Sequence, residues 1–265
     1  MAAFSGRQAR MQAYVFSRTL RQADCPGVIV SDNPAEGGGP FAARRANQRQ
    51  ADTRRTMPKA RPIAIVNVGY RSTNYWVVSA GTSRLLVDLG WPGTMGRMRA
   101  RLDRMDVPIK EIRYGLATHY HIDHAGLGQE LKEAGVPLLV LDAQVSAIPL
   151  MKSWIKPQDH YVDITMHDNV TISFPESRSV LERIGIPGEI LHTPGHSDDS
   201  ISLLLDDGSV FTGDLTPPAL IGEENPAVVL ASWRLLRERG ATRVYPGHGP
   251  VRQLGGLGMT CGEAS

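Results

Sequence analysis

The chain has 265 residues, of which 29 are Lys or Arg and 27 are Asp or Glu, and 42% are hydrophobic. This composition is that of an ordinary globular protein and excludes collagen, a coiled coil and wholesale disorder. Two cysteines, Cys25 and Cys261, are too few for a disulfide framework or a cysteine metal cluster. No apolar run approaches the roughly 18–20 residues that span a bilayer, so we expect a soluble, cytoplasmic protein.

The charge is divided unevenly along the chain. Residues 1–60 carry ten Lys and Arg against four Asp and Glu, which leaves nineteen against twenty-three for residues 61–265. The segments Gly37–Pro40 and Arg44–Arg55 show no sustained apolar period. These features predict a basic, disordered leader at 1–60 and a folded domain at 61–265. Four arginines and no acidic residue in the first 23 positions leave an organelle transit peptide as an alternative for the leader.

From residue 61 onward, short β-rich runs alternate with turns and with apolar residues at helical spacing. In chain order, this pattern predicts strands at Pro62–Val68, Tyr75–Ser79 and Arg84–Asp88, a helix from Thr94 that ends before Pro108, a strand at Ile112–Ala117, a helix from Leu127 to Gly135, a strand at Leu138–Leu141, a short helix capped by Asp142, strands at Val170–Phe174, Glu189–His192, Ser202–Leu205 and Ser209–Thr212, a helix from Asn225 to Gly240 and a strand at Arg243–Tyr245. Such an order favours packed sheets with helices outside them.

One segment concentrates ionisable side chains where a predicted strand ends. His119–His124 reads HYHIDH and places four candidate metal ligands within six residues. Because His119 and His121 are two residues apart on an extended chain, both project to the same side and can bind one metal. Asp123 and His124 lie where the chain turns into the next helix. This spacing suits two adjacent metals better than one.

Three further candidate ligands each have a glycine beside them. His196 lies in TPGHS, Asp214 in TGD and His248 in PGHG. A glycine lets the backbone bend sharply and approach a crowded site. An isolated histidine is usually structural, but a cluster of unpaired ionisable groups costs several kcal/mol, whereas a divalent cation makes the same cluster favourable. We therefore predict a metal centre whose imidazole and carboxylate ligands suit zinc, with iron and manganese as alternatives.

These motifs, together with Asp88 in VDLG, resemble the signature elements of the metallo-β-lactamase-fold superfamily of metallohydrolases over about Pro62 to Val251. The resemblance implies an α/β fold, an αββα sandwich of two mixed β-sheets flanked by helices, with the metals at one edge of the sheets. It also implies a ligand set like that of glyoxalase II and the lactonases. In that set, one ion is held by His119, His121 and His196, a second by Asp123, His124 and His248, and both by the bridging Asp214.

The resemblance implies hydrolysis with Asp123 and Asp214 as catalytic residues. Two divalent ions about 3.5–4 Å apart lower the pKa of a bridging water to near 7 and polarise the carbonyl that the metal-bridging hydroxide attacks. Asp123 is expected to orient the nucleophile and to shuttle its proton while it binds the second metal. Asp214 is expected to bridge the two ions.

Departures from each subfamily narrow the expected substrate. Asp214 counts against a dedicated β-lactamase, since lactamases of this fold generally have a cysteine or no ligand there. Glyoxalase II adds a C-terminal helical region, and this sequence has 17 residues after His248. The net negative charge of residues 61–265 disfavours contacts with the phosphates of a nucleic acid. We expect a stand-alone hydrolase of small carbonyl esters, thioesters or lactones, with β-lactam hydrolysis and then a phosphodiesterase or nuclease as alternatives.

Two segments are candidates for substrate contact. Trp154 and Ile155 lie in Met151–Tyr161, where related folds place a loop over the pocket, and simple surface packing is the alternative. Leu220 lies just after the TGD motif and is expected at the pocket mouth. His192 precedes the TPGHS motif and is expected to pack in the core or to orient a ligand. The expected partner is a small molecule rather than a membrane or a nucleic acid.

Overall fold

The computed structural model describes residues 62–256. The predicted leader at 1–60 lies outside these residues, so it stays a prediction. The described strands are β1 Ile63–Asn67, β2 Trp76–Ala80, β3 Ser83–Val87, β4 Ile112–Leu116, β5 Leu139–Leu141, β6 Val170–Ile172, β7 Gly188–His192, β8 Ile201–Leu205, β9 Ser209–Gly213, β10 Arg243–Pro246 and β11 Arg252–Gln253. The described α-helices are α1 Met95–Arg104, α2 Ile122–Ala125, α3 Gly128–Glu133, α4 Ala147–Met151, α5 Ser177–Arg183 and α6 Pro226–Glu238. Within this range, no helix is long and apolar enough to cross a bilayer.

Two β-sheets form the centre of the domain. The first has the strand order β1-β2-β3-β4, and the second has the order β11-β10-β9-β8-β7. Both are mixed, because β3 pairs with β4 and β9 pairs with β10 in parallel, whereas the neighbouring pairs are antiparallel. A parallel pair formed by β5 and β6 adjoins β4 through a bridge between Gly115 and Leu138.

Alternation along the strands produces the layers, because successive side chains of a strand point to opposite faces. In β2, Trp76 and Val78 pack in a cluster between the sheets, and Val77 packs on the other face. In β9, Phe211 joins the cluster between the sheets, and Val210 faces the opposite side. Each sheet is therefore buried on both faces.

Helices cover the two outer faces. Met98 and Leu102 of α1 pack with Val77 over the first sheet. Val229 and Trp233 of α6 pack over the second sheet. The predicted αββα sandwich of two mixed sheets flanked by helices is confirmed.

Two local predictions are wrong. The strand expected at Val170–Phe174 ends at Ile172, because Ser173 and Glu176 form a capping box that leads into the unpredicted α5: the backbone N–H and hydroxyl of Ser173 donate to the Glu176 carboxylate at 2.8 and 2.6 Å. Asp142 caps no α-helix but begins a 3₁₀ turn, and α4 starts only at Ala147.

Candidate metal centre

The seven predicted ligands come together where four strands end. His119, His121 and the two ligands on α2, Asp123 and His124, follow β4; His196 follows β7; Asp214 follows β9; and His248 follows β10. The two sheets thus each supply ligands from the ends of their strands. This convergence agrees with the predicted position of the centre at one edge of the sheets.

The first ligand group consists of His119, His121 and His196. His119 Nε2 and His196 Nε2 lie 3.1 and 3.0 Å from His121 Nδ1. Thr118 Oγ1 donates its proton to Asp88 Oδ1 and lies 3.1 Å from His119 Nδ1. Because the hydroxyl proton is already used, the Thr118 oxygen accepts the Nδ1–H of His119. The lone pair of His119 is then on Nε2. Three imidazole nitrogens that converge in this way suit a single cation.

The second ligand group consists of Asp123, His124 and His248. Asp123 Oδ2 lies 3.5 Å from His124 Nε2 and 3.2 Å from His248 Nε2. The hydroxyl of Thr73, in the loop between β1 and β2, donates to Asp123 Oδ2 at 2.9 Å. A carboxylate and two imidazoles at this spacing match the donors that zinc and iron accept.

Hydrogen bonds from other segments orient the two histidines of the second group. His124 Nδ1 donates to Asp88 Oδ2 at 2.8 Å, and Asp88 Oδ1 accepts from the backbone N–H and the hydroxyl of Thr118. Asp88 holds this position with a φ of 63°, in the left-handed region that costs a non-glycine residue energy. His248 Nδ1 donates to the carbonyl of Ser72 at 2.8 Å. In both rings Nε2 is therefore the atom that faces the ligand group.

Asp214 faces both ligand groups. On the side of the first group, its Oδ2 lies 3.7 Å from His196 Nε2 and 4.0 Å from His119 Nε2. On the side of the second group, Oδ1 lies 3.3 Å from His124 Nε2, and Oδ2 lies 3.5 Å from His248 Nε2. A carboxylate in this position can bind a cation through each of its oxygens. The bridging role expected for Asp214 stays a prediction.

The donor set fits divalent cations. His124 Nε2 and Asp214 Oδ1 are buried and have no hydrogen-bond partner within residues 62–256. Because buried polar atoms are nearly always satisfied, such a pair fits a site built for a cation. Gly247 leaves room for it, since a Cβ at this position would lie 2.6 Å from both Asp214 Oδ1 and His124 Cε1. A side chain at residue 247 would fill the space that the ligands share.

Burial and mutual proximity set the ionisation of the ligands. Burial lowers the pKa of His119, His121 and His196, so these imidazoles are neutral at pH 7, the form that binds metal. Burial alone would raise the pKa of Asp214, but the surrounding imidazoles, His124 first, hold it well below its usual range. The Asp214 carboxylate is therefore ionised and ready to bind a cation.

A cavity of about 340 Å³ lies beside the ligands His196, Asp214 and His248. Leu220, one of the predicted substrate contacts, lines this cavity. Trp154 and Ile155 do not line it: Trp154 is half exposed, and Ile155 packs against the core cluster under α1. Contact of these three side chains with a substrate stays a prediction.

His192 differs from its expected role. Its neighbours Leu191 and Thr193 are buried, so the alternation of the strand turns His192 to the opposite face, where it is exposed. Its Nε2 lies 2.8 Å from the carbonyl oxygen of Asp198, and its ring packs beside Phe174. The prediction that His192 packs in the core or orients a ligand is wrong.

The fold and the seven candidate ligands together suggest membership in a known family of metalloproteins. The family model of the metallo-beta-lactamase superfamily matches residues 68–248, from the end of β1 to the last ligand. The chain belongs to the metallo-beta-lactamase superfamily. This superfamily includes metal-dependent hydrolases.

Curated relatives and solved structures show the breadth of the metallo-beta-lactamase superfamily. The chain is 28% identical to a beta-lactamase-like protein 2 homolog of Caenorhabditis elegans, over 68% of this chain and 57% of the relative. It is 28% identical to an atrochrysone carboxyl ACP thioesterase of Aspergillus terreus, over 68% of this chain and 50% of that relative. The chain thus spans about half the length of these two relatives. The crystal structure of TTHA1623 in a di-iron-bound form matches with a TM-score of 0.54 and 25% identity, over 72% of this chain and 95% of that one.

Proposed function

We propose that the chain hydrolyses a small carbonyl ester, thioester or lactone at a dinuclear metal centre. The observation that carries this proposal is the position of Asp214, whose carboxylate faces His196 and His119 on one side and His124 and His248 on the other. A bridging carboxylate between two complete ligand groups is the arrangement that holds two ions at the short separation of two-metal hydrolases.

Zinc is the proposed metal in both positions. The two ligand groups offer imidazole and carboxylate donors, which zinc binds in hydrolytic centres. Iron is the alternative, and the solved relative in a di-iron-bound form supports keeping it. When bound, the two ions would activate water as a nucleophile and polarise the carbonyl that it attacks.

The side chains would position the reactants. Asp123, fixed by the Thr73 hydroxyl, would orient the attacking water and accept its proton. Asp214 would keep the two ligand groups at a constant separation. The cavity beside the ligands has the size of a small-ligand site and mostly apolar walls, which favours an acyl group over a nucleic acid as its occupant. The relative named as a thioesterase supports a carbonyl substrate.

A hydrolysis panel tests the proposed reaction. The panel contains an aryl butyrate ester, a butyryl thioester, an acyl-homoserine lactone, nitrocefin and bis-nitrophenyl phosphate, assayed with metal-loaded protein. We expect turnover of at least one of the first three, with a rate that falls by about 10³ in Asp123→Ala. Asp103→Asn, which removes an exposed carboxylate of α1, is the matched control and should keep the wild-type rate.

Three outcomes would contradict the proposal. Turnover of the phosphodiester alone would point to a nuclease or phosphodiesterase. Turnover of nitrocefin alone would point to a β-lactamase. Equal loss of rate in Asp123→Ala and Asp103→Asn would show that charge at the surface, rather than the ligand group, explains the effect.

A further inference from the structure

The cavity beside the metal ligands is apolar over most of its wall but contains one cationic residue. Its apolar lining residues come from the loop after β9, from α6 and from β10: Leu215, Pro217, Leu220, Trp233, Val244 and Pro246. The metal ligands His196, Asp214 and His248 line the same cavity, and so does Arg252. A ligand that fills it would therefore contact the metal centre, an apolar wall and a guanidinium group.

The strand register explains why Arg252 faces the cavity. β11 pairs with β10 in the antiparallel sense, and Arg252 lies directly opposite Val244, so the two side chains share one face of the sheet. Val244 itself lines the cavity. Arg252 Nη2 lies 3.7 Å from the position that a Cβ on Gly249 would occupy, and Gly249 directly follows the ligand His248. The guanidinium of Arg252 therefore lies close to the residue that follows His248.

Within the part of the chain that the structure describes, Arg252 has no counter-charge. Among residues 62–256, no ion pair and no side-chain hydrogen bond involves Arg252, although Arg84, Arg178 and Arg239 all pair with carboxylates. An arginine presents five N–H donors in a fixed plane and binds carboxylates through two of them at once. Because Arg252 lines the cavity and is exposed, its guanidinium is suited to an anionic ligand at the cavity mouth.

A second polar group in the cavity wall also lacks a partner. Thr212 is the residue before Gly213 and Asp214, lines the cavity and is 2% exposed. Its hydroxyl is buried and has no hydrogen-bond partner within the described range. Since a buried hydroxyl without a partner is costly, its presence supports a bound molecule that brings a polar atom into this part of the cavity.

We propose that the substrate carries a carboxylate on a short apolar chain, and that Arg252 binds this carboxylate while the reacting carbonyl lies at the metal ligands. This inference rests on the proposed function, because it defines the substrate class of the same site. The half-ester or half-thioester of a short dicarboxylic acid has this form: one end is hydrolysed, and the other end is the anion held by Arg252. The apolar chain between them lies along Leu215, Val244 and Pro246.

A binding experiment tests the inference without any turnover. Calorimetry on metal-loaded protein compares pentanoate with glutarate, which are chains of equal length that differ in a second carboxylate. Either acid can place one carboxylate at the metals, so the ratio of their affinities reports the second anion site. We expect glutarate to bind about fivefold to tenfold more tightly, as a charge-assisted but solvent-accessible pair allows.

Substitutions assign that preference to a residue. Arg252→Met should reduce the glutarate preference to about 1 and leave the affinity for pentanoate unchanged, and Arg252→Lys should restore part of it, since a lysine keeps the charge without the bidentate geometry. Arg113→Met, which removes an exposed arginine of β4, is the control for net charge and should keep the wild-type ratio. Unchanged metal content and melting temperature in each variant would show that the fold and the ligands are intact.

Three results would overturn the inference. They are an equal affinity of wild-type protein for the two acids, an unchanged preference in Arg252→Met, and loss of the preference in Arg71→Met instead. Arg71 lies over the rings of Tyr70 and Trp91 in the loop before Ser72, so the last result would place the anion at that rim. A protein that binds glutarate through Arg252 but hydrolyses no ester would contradict the proposed reaction alone. An esterase without glutarate preference would contradict this inference alone.

Discussion

The two ligand groups differ in what holds them. Within residues 62–256, His119 is the one ring of the first group with a hydrogen bond outside the ligands, to the Thr118 hydroxyl, whereas every member of the second group is anchored by another segment. Those anchors are the Thr73 hydroxyl, the Asp88 carboxylate and the Ser72 carbonyl. Substitutions outside the ligands should therefore affect the second group more than the first.

The largest effect is expected at the residue that both groups share. Asp214→Ala removes the carboxylate that faces His196 and His124 from opposite sides, so the two groups lose their link and their common negative charge. We expect turnover to fall by about 10³ or more, because both ions support the same reacting centre. Steady-state kinetics at saturating metal measure the loss. A variant with wild-type turnover would show that Asp214 bridges nothing.

Substitution of Asp88 should separate the two groups. Asn tolerates the left-handed backbone at residue 88 but cannot accept the His124 Nδ1–H with a full negative charge. We expect the affinity of the second group for metal to fall by about 10- to 100-fold in Asp88→Asn, as the loss of an outer hydrogen bond to a ligand usually does. Competition with a chelator, followed by metal analysis, measures each site. Equal weakening of both groups would show that Asp88 does not act on the second group in particular.

A smaller effect is expected from a side chain placed in the shared space. In Gly247→Ala, the new Cβ would lie 2.6 Å from Asp214 Oδ1 and His124 Cε1, so the ligands must move apart. We expect metal affinity to fall by about tenfold, in line with the cost of overpacking a closely fitted site. Gly222→Ala is the matched control, because a Cβ there meets nothing within 4 Å. If both variants bind metal with wild-type affinity, then the absence of a side chain at Gly247 is not needed for metal binding.

The smallest effect is expected at the anchor of Asp123. Thr73→Val keeps the shape of the side chain and removes the hydroxyl that donates to Asp123 Oδ2. We expect a loss of about fivefold in kcat, since one hydrogen bond to a charged group is removed while the ligand itself stays. Measurement of kcat and KM at several metal concentrations distinguishes this loss in kcat from a loss of bound metal. A larger effect than that of Asp88→Asn would reverse the order of importance of the anchors.

The ligands could be predicted from the sequence, but most of their anchors could not. His119, His121, Asp123 and His124 occupy one short motif, and the glycine-flanked positions 196, 214 and 248 carry a similar local signal. Thr73 donates to a ligand 50 residues away, and the Ser72 anchor is a backbone carbonyl, which any residue would supply. Only the pairing of the sheets brings these groups to the ligands.

The same reasoning explains the errors in the fold. The helix α5 carried its start signal in Ser173 and Glu176, but its seven residues are too few for a clear apolar period. β11 has only two residues and is positioned by its pairing with β10. The position of Arg252 beside the cavity could therefore not be predicted from the local sequence. Long periodic elements such as α6 were predictable from Asn225 to Gly240 because both ends carry capping residues.

The dinuclear centre is tested most directly by the metal-to-protein ratio of wild-type protein, which is purified without added metal, equilibrated with excess zinc and desalted. Two ligand groups linked by Asp214 predict about two equivalents of metal per chain, with activity that rises until both are bound. A ratio of about one at full activity, or no retained metal, would contradict a dinuclear centre, because the second ligand group would then have no ion to hold.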